Sequence, residues 1–121
     1  MDLVQEAKQQ VENLTPDQVA SEIEAGDALL VDVREPQERE TAAIPGAISA
    51  PRGMLEFYAD PSLPYHREEF EHDRRIILHC ASGGRSALAA KTLKDMGYTN
   101  VAHLDGGIKA WQEAGNRTEP G

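Results

Sequence analysis

Cys80 is the only cysteine in the chain, and it stands where an apolar run gives way to two glycines, an arginine and a helical pattern, in the stretch IILHCASGGRSALAAKTLKDMG of residues 76–97. A thiol is a nucleophile only as the thiolate, and a free cysteine ionises at about pH 8.5, so a reactive one needs help from its surroundings. Ala81, Ser82, Gly83, Gly84 and Arg85 follow it, and Ser86 opens the helical pattern. A loop this short, with two glycines to permit positive backbone angles, can curl its N–H groups around the sulfur. A helix start contributes about 0.3–1 kcal/mol, less than one pKa unit at about 1.4 kcal/mol per unit. Converging N–H groups and the charge of Arg85 act in the same direction. The plain alternatives are a buried cysteine serving as a small hydrophobe and an Arg85 engaged in a surface salt bridge. The strand-end position, the glycine pair and the arginine together favour a reactive thiol.

The elements around this loop must hold it in place. RRIILH, before the cysteine, reads as a buried strand, and Ala89, Leu93 and Met96 form the apolar stripe of a helix that Gly97 ends. Upstream, Val4, Ala7, Val11 and Leu14 recur at helical spacing, and Thr15, Pro16 and Gln18 give a capped helix start whose buried face holds Val19 and Ile23. ALLVDV, residues 28–33, alternates too little for a half-exposed strand and reads as a buried parallel one. EPQERE follows as a helical turn, and IPGAISAP as a turn with a short strand. A helical piece around Met54 to Tyr58 leads into a proline-broken loop; VAHL is a further strand, and DGGIKAWQEAG a last helix with Ile108 and Trp111 inward. Such alternation predicts an α/β domain with a central parallel sheet and helices on both faces. In such sheets ligands bind beyond the carboxyl ends of the strands, which is where Cys80 falls.

Bulk properties narrow the function. The chain has 121 residues, room for one domain, and its 12 basic and 21 acidic residues give a net charge of -9. That charge repels nucleic acid and anionic lipid, so neither is an expected partner, and an anionic substrate needs a local positive site. The first residues, MDLVQEAKQQVENL, lack the basic start and apolar stretch of a secretory signal. One cysteine makes no internal disulfide, and a reducing, cytoplasmic location is the expectation. His66, His72, His79 and His103 never fall at a metal-ligand spacing, so neither metal nor cofactor is expected.

From about Thr15 to Asn116 the chain resembles the rhodanese family of sulfurtransferases. LLVDVRE followed by IPGAISAP is similar to the family's amino-terminal signature, CASGGRS occupies the place of its active-site loop, and NVAHLDGGIKAWQEAG is similar to its carboxyl-terminal signature. Ala42 and Ala43 stand where the family often has Gly-His. The resemblance implies the three-layer rhodanese-like fold over residues 15–116, with residues 1–14 as a helical extension and 117–121 as a short tail. It implies that Cys80 attacks the outer sulfur of a donor such as thiosulfate, holds a persulfide, and passes that sulfur to cyanide or a thiol, a double displacement through a covalent intermediate. In this scheme the N–H groups of Ala81 to Ser86 stabilise the outer sulfur and Arg85 holds the donor oxyanion. Arg52 would lie near the mouth and steer anions, or else be an ordinary solvated arginine; Asp32 and Arg34 would fix the strand end, and Trp111 would be core. HREEFEHD reads as a solvated face, and that loop or the first helix is the candidate docking patch for a protein partner.

Two other readings remain at this point. Cys80 could accept sulfur from a protein donor and deliver it to a protein partner, as a carrier. HC followed by glycines and RS also looks like the phosphate cradle of a phosphatase or arsenate reductase. Those enzymes place five residues between cysteine and arginine, however, and this chain has four, Ala81 to Gly84. The shorter loop encloses less space.

Overall fold

The computed structural model describes residues 2–121. A five-stranded, wholly parallel sheet forms the middle layer, in the spatial order β1 (Glu12–Leu14), β5 (Val101–Leu104), β4 (Ile76–His79), β2 (Leu29–Asp32), β3 (Ile48–Ser49). Among the described residues six α-helices connect and cover it: α1 (Leu3–Gln10), α2 (Pro16–Ala25), α3 (Pro36–Thr41), α4 (Leu55–Ala59), α5 (Gly84–Asp95) and α6 (Gly107–Glu113).

The sheet splits the core in two because successive strand residues face opposite ways. Leu29, Val31, Ile76 and Leu78 pack with Leu55 of α4 and Ala89 and Leu93 of α5 on one side. Leu30 and Ile77 pack with Val19 of α2 and Ile108 and Trp111 of α6 on the other. β2 and β4 are therefore buried on both faces, and their apolar runs follow from that. The capping box at Thr15 is present, with Gln18 N–H donating to Thr15 Oγ1 and Thr15 N–H to Gln18 Oε1.

The first fourteen residues differ from the expected uninterrupted helix. α1 stops at Gln10 because Val11 turns extended and the Asn13 amide donates to the carbonyls of Lys8 and Val11, satisfying the helix end. Glu12, Asn13 and Leu14 then pair with Ala102, His103 and Leu104 as the edge of the sheet. α1 folds back onto α5, with Ala7 fully buried. The last residues are tied down too: Ala43 and Glu119 exchange backbone hydrogen bonds, and Gly121 N–H donates to Arg39. Ala43, at a Gly-His position of the family, is thus a buried partner of the carboxyl terminus.

The carboxyl end of the sheet is polar inside. Asp32 is fully buried and receives Arg34 through Nε and Nη2, the latter at 2.9 Å, and Arg39 at 3.1 Å. Burial would raise the Asp32 carboxyl, but Arg34 above all holds it below its ordinary value. His79 lies beside it, with Nε2 3.7 Å from Asp32 Oδ2 and without a hydrogen-bond partner among the described residues. Burial pushes the His79 imidazole down to about 4, against the opposing pull of Asp32.

A buried histidine held neutral makes a fold sensitive to acid. The unfolded chain binds the His79 proton at about pH 6.5, the folded one only near 4, so stability is present above the first value and lost as pH falls through the second. The loss is on the order of 3 kcal/mol. In urea titrations from about pH 7 to 4, the midpoint should fall, and fall less steeply in His79→Gln; equal slopes would assign the acid sensitivity to other groups.

Candidate functional site

β4 delivers the chain to the carboxyl end of the sheet, and Cys80 is its first residue beyond the ladder. The loop closes in three residues, Ala81 to Gly83, before α5 begins at Gly84. Two N–H groups converge on the sulfur: Gly83 N–H at 3.1 Å and Ser86 N–H at 3.4 Å. The Cys80 side chain is buried, with 1% exposure.

That convergence requires the neighbouring carbonyls to point elsewhere. Cys80 O accepts from Ile108 N–H at 2.9 Å and Ala81 O from Lys109 N–H at 3.1 Å, both from the first turn of α6. The carbonyls are thus drawn back from the sulfur. Gly107 makes the approach possible. With φ of 64°, it brings its backbone so close that a Cβ would lie 2.5 Å from the Ala81 carbonyl and 2.6 Å from that of Cys80.

Arg85 projects from the first turn of α5 and is not free. Its Nη1 and Nη2 donate to the two carboxylate oxygens of Glu38 in α3, at 2.7 and 3.0 Å. Glu38 Oε1 also accepts from Glu35 N–H, closing the cap of α3. Hydrogen bonding from Arg85, foremost, holds the Glu38 carboxyl down to about 2, against a smaller upward push from burial. The cation nearest the loop in sequence is therefore paired in a fork-to-fork geometry with half-exposed partners.

Behind the sulfur runs a polar chain through the packed interior. Ser86 Oγ is 3.6 Å from Cys80 Sγ and 3.0 Å from His103 Nδ1. His103 Nε2 is 2.7 Å from Asn13 Oδ1. Ser86 and His103 are fully buried, whereas Asn13 lies at the surface on the edge strand.

The remaining candidate residues divide. Ser82 is exposed at the loop tip, and Ala81 and Gly84 are half-buried beside it. Asp32 and Arg34 bind one another, and Arg34 Nη2 also donates to Ala42 O at 2.8 Å, tying β2 to the segment after α3. Arg52 donates its backbone N–H to Val33 at the strand end, but its guanidinium turns to Glu56 at 2.8 Å and to Thr92 Oγ1 at 3.1 Å, more than a helical turn beyond Ser86. Among the described residues no group of three histidine, cysteine or acidic side chains is arranged to hold a metal ion, and no helix is long and apolar enough to cross a membrane.

Residues 15–114 match the rhodanese-like domain family. The chain belongs to that family. A sulfurtransferase of Allochromatium vinosum is 37% identical over 89 residues, covering 74% of this chain and 76% of the relative. A thiosulfate sulfurtransferase, GlpE, of Pseudoalteromonas translucida is 31% identical over 73% of this chain and 76% of its own. A solved structure from Rhodopseudomonas palustris, of a protein of unknown function described as a possible tyrosine phosphatase, superposes with a TM-score of 0.90 at 44% identity, covering 96% of this chain and 90% of that one.

Four residues of this rhodanese-like site escape a reading of the sequence. Glu38 sits among the acids of EPQERE, and its partner Arg85 is 47 positions away, so only the Glu35-to-Glu38 capping spacing is visible locally. Asn13 lies in what reads as a helix. His103 leaves a signal: it is the polar residue in an otherwise apolar buried strand, VAHL. Gly107 follows Gly106 in DGG, which marks a turn but not the neighbour that requires it.

The Gly107 contact can be tested against a silent glycine. Gly107→Ala should destabilise the fold, seen in denaturant titration, by more than the roughly 1–2 kcal/mol that left-handed backbone alone costs, and should disturb the Cys80 loop, seen as an altered alkylation rate. Gly53→Ala, where a Cβ meets nothing within 4 Å, should do neither. Equal effects from the two would remove the role assigned to the α6 contact.

Proposed function

We propose that this protein is a sulfurtransferase that carries a sulfane sulfur as a persulfide on Cys80. The observation that carries the reading is the sulfur itself: one thiol at a strand end, with the N–H groups of Gly83 and Ser86 aimed at it and the adjoining carbonyls drawn away. Such a cradle favours an anion on sulfur. Its membership of the rhodanese-like family and its sulfurtransferase relatives support the same chemistry.

In the proposed cycle, Cys80 thiolate attacks the outer sulfur of thiosulfate or a similar donor. The donor S–S bond breaks as the new one forms, and sulfite leaves with the electron pair. The loop N–H groups from Ala81 to Ser86 hold the terminal sulfur anion. Attack by cyanide or a thiol on that sulfur then returns the Cys80 thiolate. No cofactor enters the scheme, and a lone thiol suits a reducing compartment such as the cytoplasm.

Arg85 is the group suited to a donor oxyanion, yet Glu38 already occupies its fork. A small dianionic donor must compete with that carboxylate, a contest that solvent screening of the half-exposed pair holds to about 0–1 kcal/mol. This ion pair favours, as the second reading, delivery by a protein partner that brings its own persulfide and needs no oxyanion seat. A phosphatase is less well served, because its phosphate would need Arg85 and a longer loop. Removing residues 1–14 would not test for a docking segment alone, since it deletes β1 and the Asn13 contact to His103.

Mixing reduced protein with thiosulfate should add one sulfur atom to its mass, which cyanide then removes as thiocyanate, and Cys80→Ser should show neither. No uptake from thiosulfate or from a thiol persulfide would overturn the function. The place of Arg85 is tested separately: Arg85→Ala should raise the thiosulfate KM by about 10-fold or more, and Glu38→Gln should lower it. If neither substitution moves KM, the oxyanion is bound elsewhere.

A further inference from the structure

The polar chain behind Cys80 has a defined direction. Asn13 spends its amide N–H groups on the carbonyls of Lys8 and Val11, at 2.8 and 3.1 Å. Its Oδ1 is therefore the acceptor that faces His103, and His103 Nε2 carries the proton of that 2.7 Å bond. Burial pushes the His103 imidazole down to about 4 against the upward pull of Asp105, with Lys8 adding to the fall. The ring is neutral near pH 7, so Nδ1 offers a lone pair, and the Ser86 hydroxyl, 3.0 Å away, donates to it in preference to the more distant Gly83 carbonyl at 3.3 Å. A hydroxyl has one proton to give. With that proton committed, Ser86 Oγ faces Cys80 Sγ as an acceptor.

We propose that Ser86 and His103 form the route by which the Cys80 thiol gives up its proton. The S–H bond breaks and its electron pair stays on sulfur. The proton bonds to Ser86 Oγ as the hydroxyl's own proton bonds to His103 Nδ1. His103 becomes a transient imidazolium that still donates Nε2–H to Asn13, its population kept small by the burial that lowers its proton affinity. The shift reverses Ser86: its hydroxyl now donates to the thiolate, a third donor beside the N–H groups of Gly83 and Ser86. Around His103 stand Lys8 from α1, Asn13 from β1, Ser86 from α5 and Asp105 after β5, with Cys80 beyond Ser86. Asp105 and the new thiolate favour the imidazolium, and Lys8 opposes it. Because Cys80 is 1% exposed, bulk solvent is the slower path near pH 7, where hydroxide is scarce. His103 acts through Ser86 and is a positioning residue.

The proposal rests on the reading of Cys80 as a nucleophile, but its test needs no sulfur donor. Iodoacetamide alkylation of Cys80 reads thiolate formation directly and can be followed against pH in the full chain. In Ser86→Ala and His103→Phe the rate near pH 7 should fall by about 10-fold or more, and the deficit should vanish by about pH 10, where hydroxide ionises the thiol without a relay. Asn13→Asp, at the surface, puts a carboxylate on Nε2–H at the expense of the two amide donations to Lys8 and Val11, and should raise the rate near pH 7 while circular dichroism shows the fold intact. If the buried variants do not fold, Asn13→Asp decides by itself. A deficit equal at both pH values, or no change in Asn13→Asp, overturns the relay. Alkylation that follows these expectations in a protein that takes sulfur from no donor upholds the relay and overturns the sulfurtransferase reading.

Discussion

A sulfur ringed by backbone N–H groups can exist only if the carbonyls beside it have somewhere else to go. Here α6 receives them: Ile108 and Lys109 N–H take the Cys80 and Ala81 oxygens, and Gly107 lets the two backbones meet. The rest of the fold serves that contact. β5 pairs with β4 in register, Leu78 opposite His103, so that the turn after β5 arrives beside the loop after β4. Trp111 and Ile108 anchor α6 in the second core at the same time. A parallel sheet is well suited to this, since every strand ends at the same edge.

Electrostatics in this chain are local. With a net charge of -9, the molecule would repel the anions that a thiolate cradle attracts. The arginines near the carboxyl end of the sheet do not simply cancel that field, because each is bound to a named acid: Arg34 and Arg39 to Asp32, Arg85 to Glu38, Arg52 to Glu56. The buried Asp32 cluster fixes backbone, with Arg34 holding Ala42 and Arg39 holding Ala47. The half-exposed Arg85 pair is different in kind, since its partners can part in water at modest cost.

Much of this was legible in the residues. The strands around Leu30 and Ile77 announce themselves as unbroken apolar runs, and Cys80 with its glycines and Ser86 marks the loop without any coordinates. The order of motifs gives the family, and with it the sheet. What could not be read is what depends on distant partners. Asn13 follows a helical spacing that Leu14 completes by coincidence, because one apolar residue of a three-residue edge strand has no period of its own. Glu38 looks like one acid among several until Arg85 is brought against it. Arg52 has the right address in sequence, yet Glu56 one turn along its own segment captures the guanidinium.

One thiol per chain, sunk to 1% exposure, also sets a stoichiometry. A disulfide needs two cysteines with α-carbons within about 7 Å of each other, and this chain has no second cysteine to offer. Oxidation within the chain therefore cannot close the thiol into a disulfide, independently of any reductant. Each chain has a single cysteine address for sulfur chemistry, counted in whole atoms.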